Sequence, residues 1–345
     1  MINSVLLVLA ALVPAVFLGI YIFIKDRVEK EPWSLLAILF VSGIVICYPV
    51  VQVSPLVNGV IDNFFSLFAV SEDSTSVYLS SGTFTVYKGA SNFLGVALIE
   101  EGFKWLAMYL ITHKNKNFNS LFDGMIYAVF VSLGFAAFEN ILYAFSYGWD
   151  TVLMRAFTAV PGHVFDAVFM GYYYSLWHVY NKARNQEREL KSRGLLEKSE
   201  HEFKSAKYLV LSIVVPVAAH GFYDFCLDLN RGYMVIVFYI FLIFLYFFCF
   251  SRVRKLSKMD SSDTAFSTSL VIKKHPQLVS VISELIPGTD VGGSKHDYAF
   301  TRPVGLSRNA TVADIIDEYK RLHNNGDLAT DVDSYIGQTE FVKQK

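Results

Sequence analysis

Three cysteines are all that 345 residues contain, and Cys47, Cys226 and Cys249 each lie in an apolar run with no CxxC pair. They read as small hydrophobes, not as a disulfide framework or a thiolate zinc site. No glycine-rich phosphate loop and no GxSxG elbow occurs, so nucleotide binding and serine chemistry have no support. Charge is scarce as well. Only 18% of residues are charged and the formal net charge is −1, so no basic field draws a nucleic acid. No internal repeat is present. What fills the chain is apolar: 53% of residues are hydrophobic and 16% aromatic, with 30 Phe and 20 Tyr. Soluble domains average about 45–50% apolar and about 25% charged residues. This is the composition of a membrane protein.

A bilayer core of about 30 Å needs roughly 20 apolar residues per helix. Residues 4–24, 33–53, 89–111, 121–146, 152–180, 208–229 and 233–250 each meet that requirement. The expected fold is all-α, a polytopic membrane protein of about seven transmembrane helices. The first segment reads as a retained helix. It lacks a basic n-region, and Lys25-Asp26-Arg27 follows it where a signal peptide would have a small-residue cleavage site.

The connections alternate in charge. One set holds seventeen Lys and Arg, eight of them between Lys182 and Lys207, where five Glu interleave. The other set includes residues 54–86, which contain neither Lys nor Arg, and is fringed only by Lys88, Arg155 and Arg231. The positive-inside rule then places the N-terminus outside and the C-terminus inside. In the long outer connection, Val57, Val60, Ile61, Phe64, Phe65 and Phe68 share one helical face opposite Asn58, Asp62 and Asn63. That pattern predicts an amphipathic helix in the outer interface or a rigid re-entrant connection.

Residues 1–255 thus form a membrane domain and residues 256–345 a cytoplasmic tail, partly disordered. One helix is expected there over 311–323, ended near Gly326. The sequon at Asn309 would stay unmodified on the inner side.

Ionisable groups inside a bilayer are costly and by default mark function. Here they fall in four successive segments: Glu100, Glu101 and Lys104; Glu139 and Asn140; His163 and Asp166; His220 and Asp224. At 1.5 Å per residue, Glu139 lies about 10 Å, His220 about 12–14 Å, and Glu100 and His163 about 17 Å from the outer ends of their segments. One slab in the outer half of the membrane therefore holds two carboxylates and two imidazoles. Lys104 can neutralise Glu100 or Glu101, and a freed acid can act as general base on water. Asp166 and Asp224 stand at helical spacing from His163 and His220 and can fix their tautomers. His163, His220 and Glu139 would make a three-ligand zinc site, with Glu100 as the base. His113, His178 and His201, at or beyond segment ends, read as solvated, and Asn119 and Asp123 as helix-start residues.

Glu100-Glu101-x-x-Lys104, Phe135-x-x-x-Glu139-Asn140, Gly162-His163-x-x-Asp166 and His220-x-x-x-Asp224, in that order, resemble the motifs of PrsW-type intramembrane proteases. Glu31-Pro32-Trp33, leading into the second segment, is similar too. These proteins stand with the CAAX prenyl endopeptidase-like (Abi) membrane proteases. The resemblance covers residues 1–255. It implies a multi-pass endopeptidase of a prokaryotic cell membrane that cuts membrane-anchored proteins near the outer face, the best-known task being site-1 cleavage of an anti-sigma factor. It implies Glu100 and Glu101 as the catalytic acid pair, completed by Glu139, His163 and His220, and leaves open whether a metal such as zinc is bound. Glu139 stands where the CAAX endopeptidases have histidine, so a prenylated substrate is not implied.

Two other readings use the same residues. Chains of Asp, Glu and His also serve proton- or cation-coupled transporters, although no inverted repeat or matched pair of broken helices is evident. A non-catalytic scaffold would keep the cluster to hold helices together.

Overall fold

The computed structural model of the chain describes residues 2–26, 29–72, 77–229, 231–275, 278, 301–303, 310–324 and 339–341. They are helical apart from connections and two short antiparallel strand pairs. In chain order the elements are α1 (Ile2–Lys25), α2 (Trp33–Val45), α3 (Cys47–Ser66), β1 (Ser71–Glu72), β2 (Val77–Tyr78) and α4 (Ser81–Ala90). A π-helical segment (Ser91–Ala97) follows, then α5 (Leu98–Thr112), α6 (Asp123–Tyr147), α7 (Trp149–Phe157), α8 (Ala159–Ser192), α9 (Glu202–Asp228) and α10 (Gly232–Met259). The chain continues with α11 (Asp263–Lys274), β3 (Thr301–Pro303), α12 (Val312–Asn324) and β4 (Thr339–Phe341).

Among the described residues, six helical stretches are long and apolar enough to cross a bilayer: Val5–Lys25, Trp33–Ser66, Asp123–Tyr147, Trp149–Ser192, Glu202–Asp228 and Gly232–Met259. The expected span at 89–111 is helical too, as α4, the π segment and α5. Glu100, Glu101 and Lys104 make it more highly charged than the most apolar window of each of the six. Large apolar side chains point outward along α1 and α10, with Phe17 69% and Phe247 77% exposed. Water would penalise such surfaces, whereas lipid accepts them. The protein is a multi-pass membrane protein.

The expected amphipathic helix over 57–68 is the end of a longer one. α2 and α3 join through Ile46 into a 34-residue run, about 50 Å long. Its orientation departs from the sequence expectation. The stripe is divided: Val60, Phe64 and Phe68 are exposed, Ile61 and Phe65 are buried, Asp62 and Asn63 stay exposed, and Ser54 and Asn58 pack on the π segment. Ser54 Oγ donates to the Gly95 carbonyl at 2.5 Å, Ser91 Oγ to Asn58 Oδ1 at 2.7 Å, and Tyr87 OH to Asp62 at 2.9 Å. Ser54 and Asn58 thereby find in protein the partners that lipid lacks.

α2 and α6 cross at a pair of glycines. A Cβ on Gly43 would lie 2.0 Å from the Val131 carbonyl oxygen, and one on Gly134 1.9 Å from that of Phe40. Such approach needs residues without side chains, since close backbone packing holds helices together in membranes. Gly134→Ala is therefore expected to force the pair apart and to destabilise by about 1–3 kcal/mol. Thermal unfolding of the purified protein measures it, and an unchanged midpoint would contradict the crossing.

Glu31, just ahead of α2, is 5% exposed, close to Tyr127 and Asp123 of α6. Burial pushes its carboxyl up from 4.5 to about 7; contacts with Tyr127 and Asp123 oppose this, and Asp26 and Glu29 reinforce it. A carboxyl whose folded pKa exceeds its unfolded value binds its proton more tightly when folded, so its effect on stability grows more favourable as pH falls from about 7 towards 4.5. Glu31→Gln is expected to remove that pH dependence and to raise stability at pH ~8. Denaturation midpoints on either side of this window test it; an unchanged slope refutes it.

The chain divides into two compact units. The first comprises Met1–Phe118, Phe122–Tyr174 and Leu209–Lys258, the second Asn119–Leu121, Ser175–Tyr208 and Met259–Lys345. The second unit thus takes in the C-terminal half of α8 besides the residues after 258. Its core joins Ala183, Leu190 and Leu196 to Val271, Ile272, Ile315 and Ile316. Buried carboxylates that accept hydrogen bonds accompany them. Asp263 accepts from His178 Nε2 at 2.7 Å and from Lys182, and Glu187 accepts from His201 Nδ1 at 2.6 Å and His275 Nε2 at 2.7 Å. His178 and His201 are therefore buried and paired, not solvated, because distant segments supply their acids. His113 stacks on Tyr109. Asp123 does open α6, but is 1% exposed.

Thr311 and Asp314 cap α12 reciprocally, with Thr311 N donating to Asp314 Oδ2 at 2.8 Å and Asp314 N to Thr311 Oγ1 at 3.2 Å. α12 runs one residue later than the expected 311–323. Gly326, Asn309 and the stretches of the tail expected to be disordered lie outside the described residues.

Candidate active site

Four elements of the first unit deliver the intramembrane polar residues to one place: α5, α6, the start of α8 and the end of α9. Glu100 and Glu101 come directly after the π segment, a distortion that frequently accompanies functional sites. α8 begins afresh after a break at Thr158 (φ −120°, ψ −72°), so the expected span at 152–180 is two helices. Pro161 sits in the first turn of α8, where a proline forfeits no helical hydrogen bond, and His163 follows it. In α9, Pro216 cannot donate to the carbonyl one turn back and loosens the helix one turn before His220.

Lys104 stands at the centre, 1% exposed. Its Nζ lies 2.7 Å from Glu101 Oε1, 3.4 Å from Glu100 Oε2 and 3.2 Å from His163 Nδ1, and 4.1 Å from the centre of the Phe135 ring. The two glutamates differ. Glu101 is fully buried, and its Oε1 receives both Lys104 and His220 Nδ1, the latter at 2.9 Å. The Glu100 side chain is 13% exposed, with only the 3.4 Å contact to Lys104 and a 3.9 Å approach to His220 Nε2. A cavity of about 340 Å³ is bounded by Glu100, Glu139, His163, Asp166, His220 and Asp224, and Glu101 is not on its wall.

The pairing of acids with imidazoles differs in part from the sequence expectation. His220 Nε2 meets Asp224 Oδ2 at 3.3 Å, as the four-residue spacing predicts. His163 does not pair with Asp166. Its Nε2 meets Glu139 Oε2 at 2.8 Å, while Asp166 Oδ2 lies 3.7 Å from His220 Nδ1. Three residues along a helix leave Asp166 on the His220 side of the cavity, and Glu139 arrives from α6. Asn140 is fully buried and serves α1, donating through Nδ2 to the Ala11 carbonyl at 2.9 Å.

Sequence reasoning missed Arg155 as a member of the site. Its Nη2 donates to Glu139 Oε2 at 2.8 Å and its Nε to Asn140 Oδ1 at 3.0 Å, and its guanidinium lies 3.9 Å from the centre of the Tyr143 ring. The available signal was a lone cation in a connection almost free of Lys and Arg.

Metal donors of suitable type are present. One ligand atom each from Glu100, Glu101, His163 and His220 lie within 4.8 Å of one another, an N2O2 set that suits zinc. Glu139 is not in this group, in contrast to the expected set of His163, His220 and Glu139, since its Oε2 is engaged by Arg155 and His163. Lys104 already brings a positive charge among these donors.

The description "PrsW family intramembrane metalloprotease" fits residues 31–250. The chain is 28% identical over 221 residues to Protease PrsW of Geobacillus kaustophilus, covering 64% of this chain and 79% of that protein. Protease PrsW of Bacillus subtilis is 28% identical over 218 residues, or 63% of this chain and 81% of its own length. Protease PrsW of Clostridioides difficile is 29% identical over 236 residues, 67% of this chain and 83% of its own. No solved structure matches the chain.

Proposed function

The chain belongs to the PrsW family and is an intramembrane endopeptidase, and from that premise we propose that Glu100 activates the hydrolytic water in the cavity between α5, α6, α8 and α9. The observation that carries this reading is the division of labour between adjacent glutamates. Glu100 borders the cavity and holds only loose partners, whereas Glu101 is committed to Lys104 and His220. A base must reach substrate water, and a buried carboxylate bonded to an ammonium and an imidazole serves better as a fixed charge.

In the proposed reaction Glu100 takes a proton from water, and the hydroxide adds to the scissile carbonyl carbon. Lys104 and His220, held by Glu101, supply the positive charge that offsets the developing oxyanion. The C–N bond then breaks, and the proton on Glu100 passes to the leaving amine. His163, with Glu139 behind it, bounds the same cavity and orients the reacting groups. A divalent metal such as zinc, held by Glu101, His163 and His220 with Glu100 left free as the base, would supply Lewis-acid polarisation of the carbonyl in place of a charged His220.

The substrate class is a single-pass membrane-anchored protein, with an anti-sigma factor as the specific candidate from family precedent. The Lys/Arg asymmetry supports an N-out orientation in the cell membrane, which puts the cavity in the outer half and the cut near the outer face. Comparing membrane-protein N-termini in cells expressing wild type or Glu100→Gln at matched levels tests both points. New N-termini near the outer ends of single-pass proteins, seen only with wild type, are expected. Ion-driven uptake into vesicles that survives Glu100→Gln would favour transport instead.

A further inference from the structure

Arg155 is the permanent charge of the site that the proposed chemistry does not use. Among the described residues, its hydrogen bonds and its ring contact are all to one turn of α6: Glu139, Asn140 and Tyr143. Its seat is fixed from behind, because Asn140 spends its amide N–H on the Ala11 carbonyl and so must turn Oδ1 to the Arg155 Nε. A planar guanidinium bridges Glu139 and Asn140 at once, which the point charge of a lysine does not. Arg155 does not touch His163. It touches the Glu139 oxygen that His163 uses.

The tautomer of His163 follows from its two neighbours. Lys104 carries only donors, so its 3.2 Å contact makes Nδ1 the acceptor. The proton is then on Nε2 and is donated to Glu139 Oε2 at 2.8 Å. Nothing else among the described residues meets Nε2, so this form persists only while Glu139 stays in place as a carboxylate facing the ring. Glu139 is 23% exposed on the cavity wall and could otherwise swing away.

We propose that Arg155 is a positioning residue of the hydrolytic site, which pins Glu139 against His163 and thereby holds His163 as the Nε2–H tautomer with its Nδ1 lone pair turned to the Lys104 side. The catalytic consequence rests on the protease reading; the tautomer does not.

The test uses the full chain in lipid nanodiscs, labelled with ¹⁵N-histidine, with the His163 signals identified by their loss in His163→Gln. Wild type is expected to show one His163 tautomer, Nε2 protonated and Nδ1 not. Arg155→Met should move these signals towards a mixture of tautomers, and Arg155→Lys, which keeps the charge, should restore them in part. If Arg155→Met does not yield folded protein, Arg155→Gln takes its place. Cleavage of fluorogenic casein supplies the second arm. There, kcat should fall about 10–100-fold with KM within about twofold, and Arg155→Met should cost nothing further in a Glu139→Gln background.

Unchanged His163 signals in Arg155→Met overturn the proposal. So do additive losses in the double variant, or an Arg155→Lys no better than Arg155→Met. A wild type that cleaves no substrate would count against the protease reading alone, since the histidine signals still decide the role of Arg155.

Discussion

Glu100→Gln is expected to lower cleavage by about 10²–10⁴-fold, the range that general-base removal costs, while leaving the fold intact. Among the described residues Glu100 has partners only at 3.4 Å and 3.9 Å, so an amide of the same shape breaks no tight contact. Glu101→Gln bears on a different quantity. That change weakens the buried acceptor shared by Lys104 and His220, so it should reduce thermal stability as well as rate. Rates per folded molecule, measured beside melting curves, separate the two. A Glu100→Gln protein that cuts normally, with Glu101→Gln dead and stable, would exchange the assigned roles.

Lys104→Met carries the largest expected effect on stability. It leaves Glu101 fully buried without its closest counter-charge, and breaking a buried pair from one side costs about 3–5 kcal/mol. Methionine matches the lysine stem in size, so lost packing adds little. The matched double variant Lys104→Met/Glu101→Leu should recover much of the loss, since it removes both charges and fills the space. Unfolding of the single and double variants in the same detergent decides the matter. A single variant as stable as wild type would mean that Lys104 does not neutralise Glu101. Activity should stay absent in both, because the charge opposite the oxyanion is gone.

Much of the architecture was legible in the chain. Apolar runs of twenty or so residues announce helices because backbone polar groups in lipid must be satisfied within the segment. Six such stretches stand in the structure, and the region at 89–111 that carries the acidic pair is helical as well. α12 was visible from its apolar periodicity within one residue. The face of α3 was not legible. The stripe over 57–68 predicts one apolar face, whereas the structure buries Ile61 and Phe65 and exposes Val60, Phe64 and Phe68, a rotation set by the contacts of Ser54, Asn58 and Asp62 with the segments packed beside it.

The candidate site divides in the same way. Glu100, Glu101, Lys104, Glu139, His163, Asp166, His220 and Asp224 were conspicuous because a charge in hydrocarbon is costly enough to be kept only for cause. Their spacing predicted pairs within a helix, and Lys104 with its glutamates and His220 with Asp224 are such pairs. Shared depth grouped Glu139, His163 and His220 across helices as candidate ligands, but it did not foresee the contacts formed there, where His163 meets Glu139, His220 meets Glu101 and Arg155 joins the network. The sequence by itself determined a membrane-embedded helical protein, the family it belongs to and the set of ionisable groups at one depth. The tertiary structure alone decided which carboxylate faces which nitrogen and which glutamate reaches the cavity. A hydrogen bond holds over about 3 Å, whereas one residue turns a helix face by about 100°, so the crossing and rotation of neighbouring helices set those contacts, and no linear spacing records them.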